Sequence, residues 1–244
     1  MTLPVFVVDP ESIGSDLIEL TGPEGRHAAV VRRVRPGEHI VVTDTLGIGV
    51  ECVVRSVTKQ SLTAEALVRR QEPVTLPRLV VVQAIPKGQH AERAVDLLTE
   101  IGVDTIVPWA ARRSVASWRG DREAKALARW RSAAYAAAKQ SRRLRFPVVS
   151  PLHTTSEAAR LVADARLALV LHEGTSTPIS ACDMPGDGDV VLVIGPEGGI
   201  TDDELGAFTA VGAKAVRLGS SVLRSSTAGV AAAAIVLART SRWR

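Results

Sequence analysis

Val190-Val191-Leu192-Val193-Ile194-Gly195-Pro196-Glu197-Gly198-Gly199-Ile200-Thr201-Asp202-Asp203-Glu204 runs from an apolar stretch through a glycine-rich turn into a helix start. An unbroken Val/Leu/Ile run predicts a strand buried on both faces, the habit of a parallel sheet. Thr201 and Glu204 have the spacing of a capping box. Ligands of open parallel sheets collect beyond the carboxyl ends of the strands, where this loop falls. Neither the GxxxxGK[ST] nor the GxGxxG spacing is present. Asp202, Asp203 and Glu204 crowd the first helical turn. They suit the positive end of a helix but repel a phosphate. The loop is therefore better suited to a neutral or cationic ligand held by backbone groups. A tight, well-capped turn without a ligand is the competing reading.

Working outward, apolar strands are predicted at 79–84, 104–108, 167–171 and 215–218. Helices are predicted at 89–101, 121–141, 201–211 and 227–240. Strands alternating with helices predict an α/β domain with a mostly parallel sheet covered on both faces. The last helix is apolar all round, so burial on most sides is expected. The first 70 residues differ. Short strands at 5–8, 38–44, 49–57 and 62–68, with a short helix at 24–33, predict a small β-barrel. Residues 71–77 hold two prolines and read as a linker. The division is thus 1–72 and 73–244. An early Gly22-Pro23-Glu24-Gly25 repeats four letters of the later loop, but no comparable buried strand precedes it. It reads as a turn into the short helix.

A hydrophobic fraction of 46% supports a sizeable core, and 3% aromatics leave it to Val, Leu, Ile and Ala. No apolar run is long enough to span a membrane. The opening MTLPVFVVDP lacks the build of a signal peptide, so cytoplasmic residence is expected. Cys52 and Cys182 have no CxxC partner, and His27, His39, His90 and His153 share no spacing. No zinc site, disulfide or other metal site is expected. The net charge of +4 is unevenly placed. Residues 1–72 hold eight Lys/Arg against ten Asp/Glu, whereas residues 112–145 hold eleven against only Asp121 and Glu123. Arg122, Lys125 and Arg129 recur at helical spacing, with Leu127, Trp130 and Ala134 on another face. A solvated charged face is the ordinary explanation. The single-sign surplus points instead to RNA phosphates.

Further pieces are Pro86-Lys87-Gly88, Thr99-Glu100-Ile101-Gly102, Arg113-Ser114, Trp130, Gln140-Ser141, and Leu218-Gly219 with Leu223-Arg224. Val31-Arg32-Arg33-Val34-Arg35-Pro36-Gly37 lies in the first domain. In this order, with the Gly195–Gly199 loop, they resemble the small-subunit ribosomal RNA uridine-N3 methyltransferases of the SPOUT superfamily. The resemblance covers essentially the whole chain. Lys139 stands where that family usually has Glu, and Ser226 where it often has Glu.

The resemblance implies a PUA-like β-barrel that binds RNA (1–72). After it comes a SPOUT α/β domain (73–244) with a C-terminal trefoil knot. It implies a homodimer using S-adenosylmethionine to methylate N3 of a uridine in 16S ribosomal RNA, within an assembled or nearly assembled small subunit. Alternatives are another SPOUT RNA methyltransferase, such as a ribose 2′-O enzyme, and a non-catalytic ribosome-assembly RNA-binding factor. Cofactor contacts are expected from Leu171, His172, Ile194, Gly195, Gly199, Leu218, Gly219, Leu223, Thr227 and Ala228. Leu171 and His172 would act through their backbone, not ring chemistry. The neighbouring Glu173 lies on the same loop, for which a solvated loop is the alternative. RNA contacts are expected from Arg32, Arg33, Lys87, Arg113, Arg129, Arg142 and Arg143. Arg224, expected just before a capping Ser or Thr, would orient the uracil or stabilise its anion. Glu197 would act as acid/base, or hold the loop or the partner chain by hydrogen bonds.

Overall fold

The computed structural model describes residues 3–243. The chain divides into two compact units. The first takes the chain up to Val74 together with Ala138–Phe146, and the second takes Thr75–Ala137 and Pro147 onward.

The first unit contains β1 (Val5–Val7), β2 (Leu17–Leu20), α1 (Gly22–Arg26), β3 (His39–Thr43), β4 (Ile48–Val57) and β5 (Leu62–Gln71). They form a five-stranded sheet in the order β1-β3-β4-β5-β2. Only β1 and β3 run parallel. Alternation does the sorting: Ile40, Val42, Val50, Cys52 and Val54 turn inward onto Phe6, Ile18, Leu20 and Leu62. The β3–β4 reversal is set by Asp44, whose Oδ1 accepts the Leu46 N–H at 2.8 Å and the Ile48 N–H at 2.9 Å. α1 runs into a π-type turn over His27–Val31, where the sequence predicts one short helix. β2 is too short and half exposed to announce itself by pattern.

Residues 138–146, which the sequence division leaves in the second domain, belong to this unit. Lys139 Nζ donates to both Glu24 carboxylate oxygens at 2.7 and 2.8 Å. Thr43 Oγ1 donates to the Leu144 carbonyl at 2.9 Å.

The second unit contains β6 (Arg78–Ala84), α2 (His90–Ile101), β7 (Thr105–Trp109), α3 (Asp121–Gln140, whose last turn enters the first unit), β8 (Val148–Val149) and α4 (Thr155–Ala163). Then come β9 (Leu167–Leu171), β10 (Asp189–Ile194), α5 (Asp202–Ala210), β11 (Lys214–Val216) and α6 (Ser225–Arg239). The sheet order is β11-β9-β10-β6-β7-β8, with every pair parallel. Along β6, Leu79 and Val81 face α2, α3 and α6, while Val80, Val82 and Ala84 face α4 and α5. Two apolar layers therefore bracket the sheet, which explains unbroken rather than alternating strands. Trp109 and Phe208 meet edge to face at 5.2 Å under α5.

Two details depart from the sequence reading. α4 was not expected, although Thr154 and Glu157 form a complete capping box at its start. α6 begins at Ser225, two residues before the expected start, so Arg224 itself occupies the N-cap position, with no side-chain cap bond. Its Gly229, Ala232, Ala233, Val236 and Leu237 are buried, yet Ala231, Ala234 and Ile235 are only half-buried. An all-apolar helix thus keeps one flank partly open.

Candidate functional site

The carboxyl ends of β9, β10 and β11 carry three loops that line one cavity of about 400 Å³. That volume is in the usual range for a small-molecule site. The loop after β10 turns back at once, with the Gly199 N–H bonded to the Pro196 carbonyl at 2.9 Å. Side chains are excluded along it. A Cβ on Gly195 would lie 2.7 Å from Ile200 Cγ1, and one on Gly198 would lie 3.0 Å from Arg113 Cβ and carbonyl. Gly199 has φ +78°, which a β-branched residue resists. The segment that faces the cavity is therefore largely bare backbone.

The loop is clamped at its far end. Thr201 Oγ1 accepts the Glu204 N–H at 3.3 Å, and Glu204 Oε2 accepts the Thr201 N–H at 3.0 Å. Buried Glu204 also accepts the Arg112 N–H at 2.7 Å through Oε1. Arg113 lies over the loop and donates to the Gly198 carbonyl at 3.3 Å. The expected phosphate contact at Arg113 is thus already engaged with the glycine turn.

Every expected cofactor contact except Thr227 lines the cavity. The Thr227 hydroxyl instead donates to the Arg224 carbonyl at 3.1 Å, closing the first turn of α6. The His172 N–H is taken by the Val216 carbonyl at 2.9 Å, and its ring Nδ1 accepts the Gly174 N–H at 3.1 Å. Glu197 and Arg224 both line the cavity and are exposed. Glu197 Oε1 accepts the Lys87 N–H at 3.3 Å, so the loop after β6 also reaches this edge. Arg224 Nη1 approaches His90 Nε2 at 3.4 Å. Glu173, read from sequence as lying on the ligand-side loop or in solvent, lines the cavity, and so do Ser225, Arg217 and Val222, to which the sequence assigned no role there. For Ser225, the available signal was its place at the start of an apolar helix.

The fit to a sulfonium cofactor follows from the donor set. The Glu173 and Glu197 carboxylates at the cavity suit a positive centre. Among the described residues, no cluster of His, Cys, Asp and Glu could hold a metal ion.

The basic residues separate by role and by unit. In the second unit Arg122, Lys125 and Arg129 are exposed along α3, and Arg129 approaches Glu92 only at 4.0 Å. Lys87 is exposed as well. In the first unit Arg32, Arg33 and Arg142 are exposed, and Arg143 Nε donates to the Arg145 carbonyl at 2.9 Å. The unusual Lys139 is accounted for by its Glu24 partner. Ser226, the other departure, is buried in the first turn of α6.

Residues 73–237 match the RNA methyltransferase domain family, and residues 20–67 match the RNA methyltransferase PUA domain. The chain is 43% identical over 247 residues to the ribosomal RNA small subunit methyltransferase E of Mycobacterium bovis, covering 100% of this chain and 94% of the relative. The structure resembles that of ribosomal RNA small subunit methyltransferase E from Neisseria gonorrhoeae bound to S-adenosylmethionine. That likeness has a TM-score of 0.85 at 29% identity, covering 97% of this chain and 98% of the other. It also resembles a Legionella pneumophila methyltransferase in complex with the same cofactor. There the TM-score is 0.87 at 26% identity, covering 98% and 99%.

Proposed function

The chain belongs to the ribosomal RNA small subunit methyltransferase E family, and on that premise we propose that it methylates N3 of a uridine in 16S ribosomal RNA. The observation that carries this reading is the cavity itself: a glycine-rich turn beyond the carboxyl end of a buried parallel strand, edged by the Glu173 and Glu197 carboxylates and by Arg217 and Arg224.

S-adenosylmethionine, held against the backbone of the loops after Leu171, Ile194 and Leu218, supplies an electrophilic methyl group. Uracil N3 carries a proton and attacks only as that proton leaves. Loss of that proton would leave the N3 electron pair free to take the methyl group that the bound cofactor would supply, with S-adenosylhomocysteine as the other product. Glu197, at the cavity edge, takes the proton directly or through water. Arg224 stabilises the negative charge spreading onto O2 and O4. Its N-cap position at the start of α6 sets its backbone at the cavity edge.

The exposed cations of α3 and Lys87 bind RNA phosphates, and the PUA domain adds a second RNA-binding element with Arg32, Arg33 and Arg142. The substrate is RNA in an assembled or nearly assembled small subunit, and the enzyme works in the cytoplasm. None of the described helices is long and apolar enough to cross a membrane. The half-open flank of α6, with Val222 80% and Leu223 41% exposed beside the cavity, supports a homodimer whose partner covers this apolar edge. The family resemblance supports a trefoil knot at the cavity.

Purified protein, S-adenosylmethionine and small subunits lacking the modification test the reading, with ribosomal RNA nucleosides measured by mass spectrometry. N3-methyluridine is the expected product. A 2′-O-methyl nucleoside, or none, overturns the assignment.

A further inference from the structure

We propose that Gln83 is a positioning residue for the cofactor cavity, acting through Ser225 on the carbonyl of Gly195. The inference rests on the reading of that cavity as the S-adenosylmethionine site.

Gln83 is the one polar residue among six consecutive buried positions of β6, and it is 0% exposed. It pairs in register with Ile194, the last residue before the glycine loop. A buried amide on such a strand needs partners. Its Nε2 spends both hydrogens, one on the Ala84 carbonyl at 3.0 Å and one on Ser225 Oγ at 2.9 Å. Ser225 Oγ in turn donates to the Gly195 carbonyl at 2.8 Å. A hydroxyl has one hydrogen, so donating it to Gly195 obliges Ser225 to accept from Gln83. The direction of the whole chain of bonds is fixed, and the amide cannot flip.

The consequence is visible at the other end of the side chain. Gln83 Oε1 is buried without a partner. It lies 3.3 Å from where a Cβ on Gly229 would stand, so α6 passes it with a glycine. An amide kept for packing alone could be a leucine without this cost. An amide that leaves its own oxygen bare in order to point a nitrogen at Ser225 has a directional task.

That task lies at the cavity. The Gly195 carbonyl belongs to the planar Gly195–Pro196 peptide, so holding it sets the entry angle of the glycine loop. Ser225 is the first residue of α6 and follows Arg224. One network therefore joins the loop after β10 to the loop that carries Arg224, both of which line the cavity. Sequence reading had no access to this, because Gln83 and Ser225 are 142 residues apart.

The test uses Gln83→Leu, Ser225→Ala, the double variant and Ser225→Thr, which keeps the hydroxyl. Calorimetry measures S-adenosylmethionine affinity. Hydrogen exchange follows amides 195–201 in the cofactor-free protein, and melting measures stability. Each single loss is expected to weaken binding on the order of tenfold and to speed exchange of the loop. The double variant should be no worse than the worse single one, and Ser225→Thr should stay near wild type. A folded Ser225→Ala or Gln83→Leu that only melts earlier, with affinity and exchange unchanged, overturns the proposal, as does full additivity in the double variant. If Gln83→Leu does not fold, Ser225→Ala against Ser225→Thr decides. If the wild-type protein binds no S-adenosylmethionine, the reading of the cavity fails, while loop exchange in the variants still decides the role of Gln83.

Discussion

Gly22-Pro23-Glu24-Gly25 and Gly195-Pro196-Glu197-Gly198 are the same four letters in two units, and the molecule uses them differently. In the first, the letters form the helix α1. Glu24 is consumed by structure, accepting from Lys139 Nζ and from the Val7 N–H at 3.2 Å. Gly25 is buried so tightly that a Cβ would lie 2.4 Å from the Leu20 carbonyl oxygen. In the second, the letters follow a buried parallel strand and precede a capped helix. Glu197 stays exposed, and the turn faces a cavity. The difference lies in what precedes the motif. A parallel strand ends at the sheet's open carboxyl edge, where ligands have room. A short antiparallel strand delivers its turn into the wall of a closed core.

The contrast predicts where substitutions will register. Gly199→Val has the largest effect: a β-branched residue at φ +78° should abolish S-adenosylmethionine binding in a folded protein. Unchanged calorimetric affinity would sink the assignment of this turn. Arg224→Ala and Arg224→Lys come next. Both should bind cofactor yet lose on the order of a hundredfold in single-turnover methylation, because lysine lacks the planar fork. A Lys variant with near-normal turnover would show that only positive charge matters.

The two glutamates give the sharpest comparison. Glu24→Ala strips a mostly buried Lys139 of its partner and should destabilise the first unit by about 2 kcal/mol with cofactor affinity intact. Glu197→Ala should leave the melting curve nearly unmoved and slow methyl transfer instead. Similar behaviour of the two variants would erase the distinction. The smallest effect concerns Cys52 in the closed core of the first unit. Burial pushes its thiol up from 9.0 to about 11. Between those values the folded protein holds a proton that the unfolded chain releases, so stability falls as pH rises from 9 through 11. Denaturant titrations of wild type and Cys52→Ala should show a stability difference that is constant below pH 9 and changes within that alkaline window, where only the wild type loses stability to thiol ionisation.

Much of the candidate site was legible. The loops after Leu171, Ile194 and Leu218 were placed from apolar runs, and the cavity gathers them. The capping box at Thr201 was legible because it is local. The equally local box at Thr154 was legible in the same way, and Ala158, Ala159 and Val162 fall on one face of the nine-residue helix it starts, but the sequence reading does not include that helix. The engagement of Arg113 with Gly198 was not legible, because charge patterning reports where cations cluster and not what each one touches.

The sequence by itself determined the layering of the second unit, the glycine-rich turn after β10 and the capping box that starts α5. All three depend on neighbours within a few residues, and those are fixed by covalent order. Only the tertiary structure decided that Ala138–Phe146 belongs with the first unit. Only it made Lys139 the partner of Glu24 and aimed Gln83 at Ser225. Those choices depend on which distant groups must satisfy one another once water is gone. A linear pattern does not carry that information, because a buried donor accepts any acceptor that folding brings within reach.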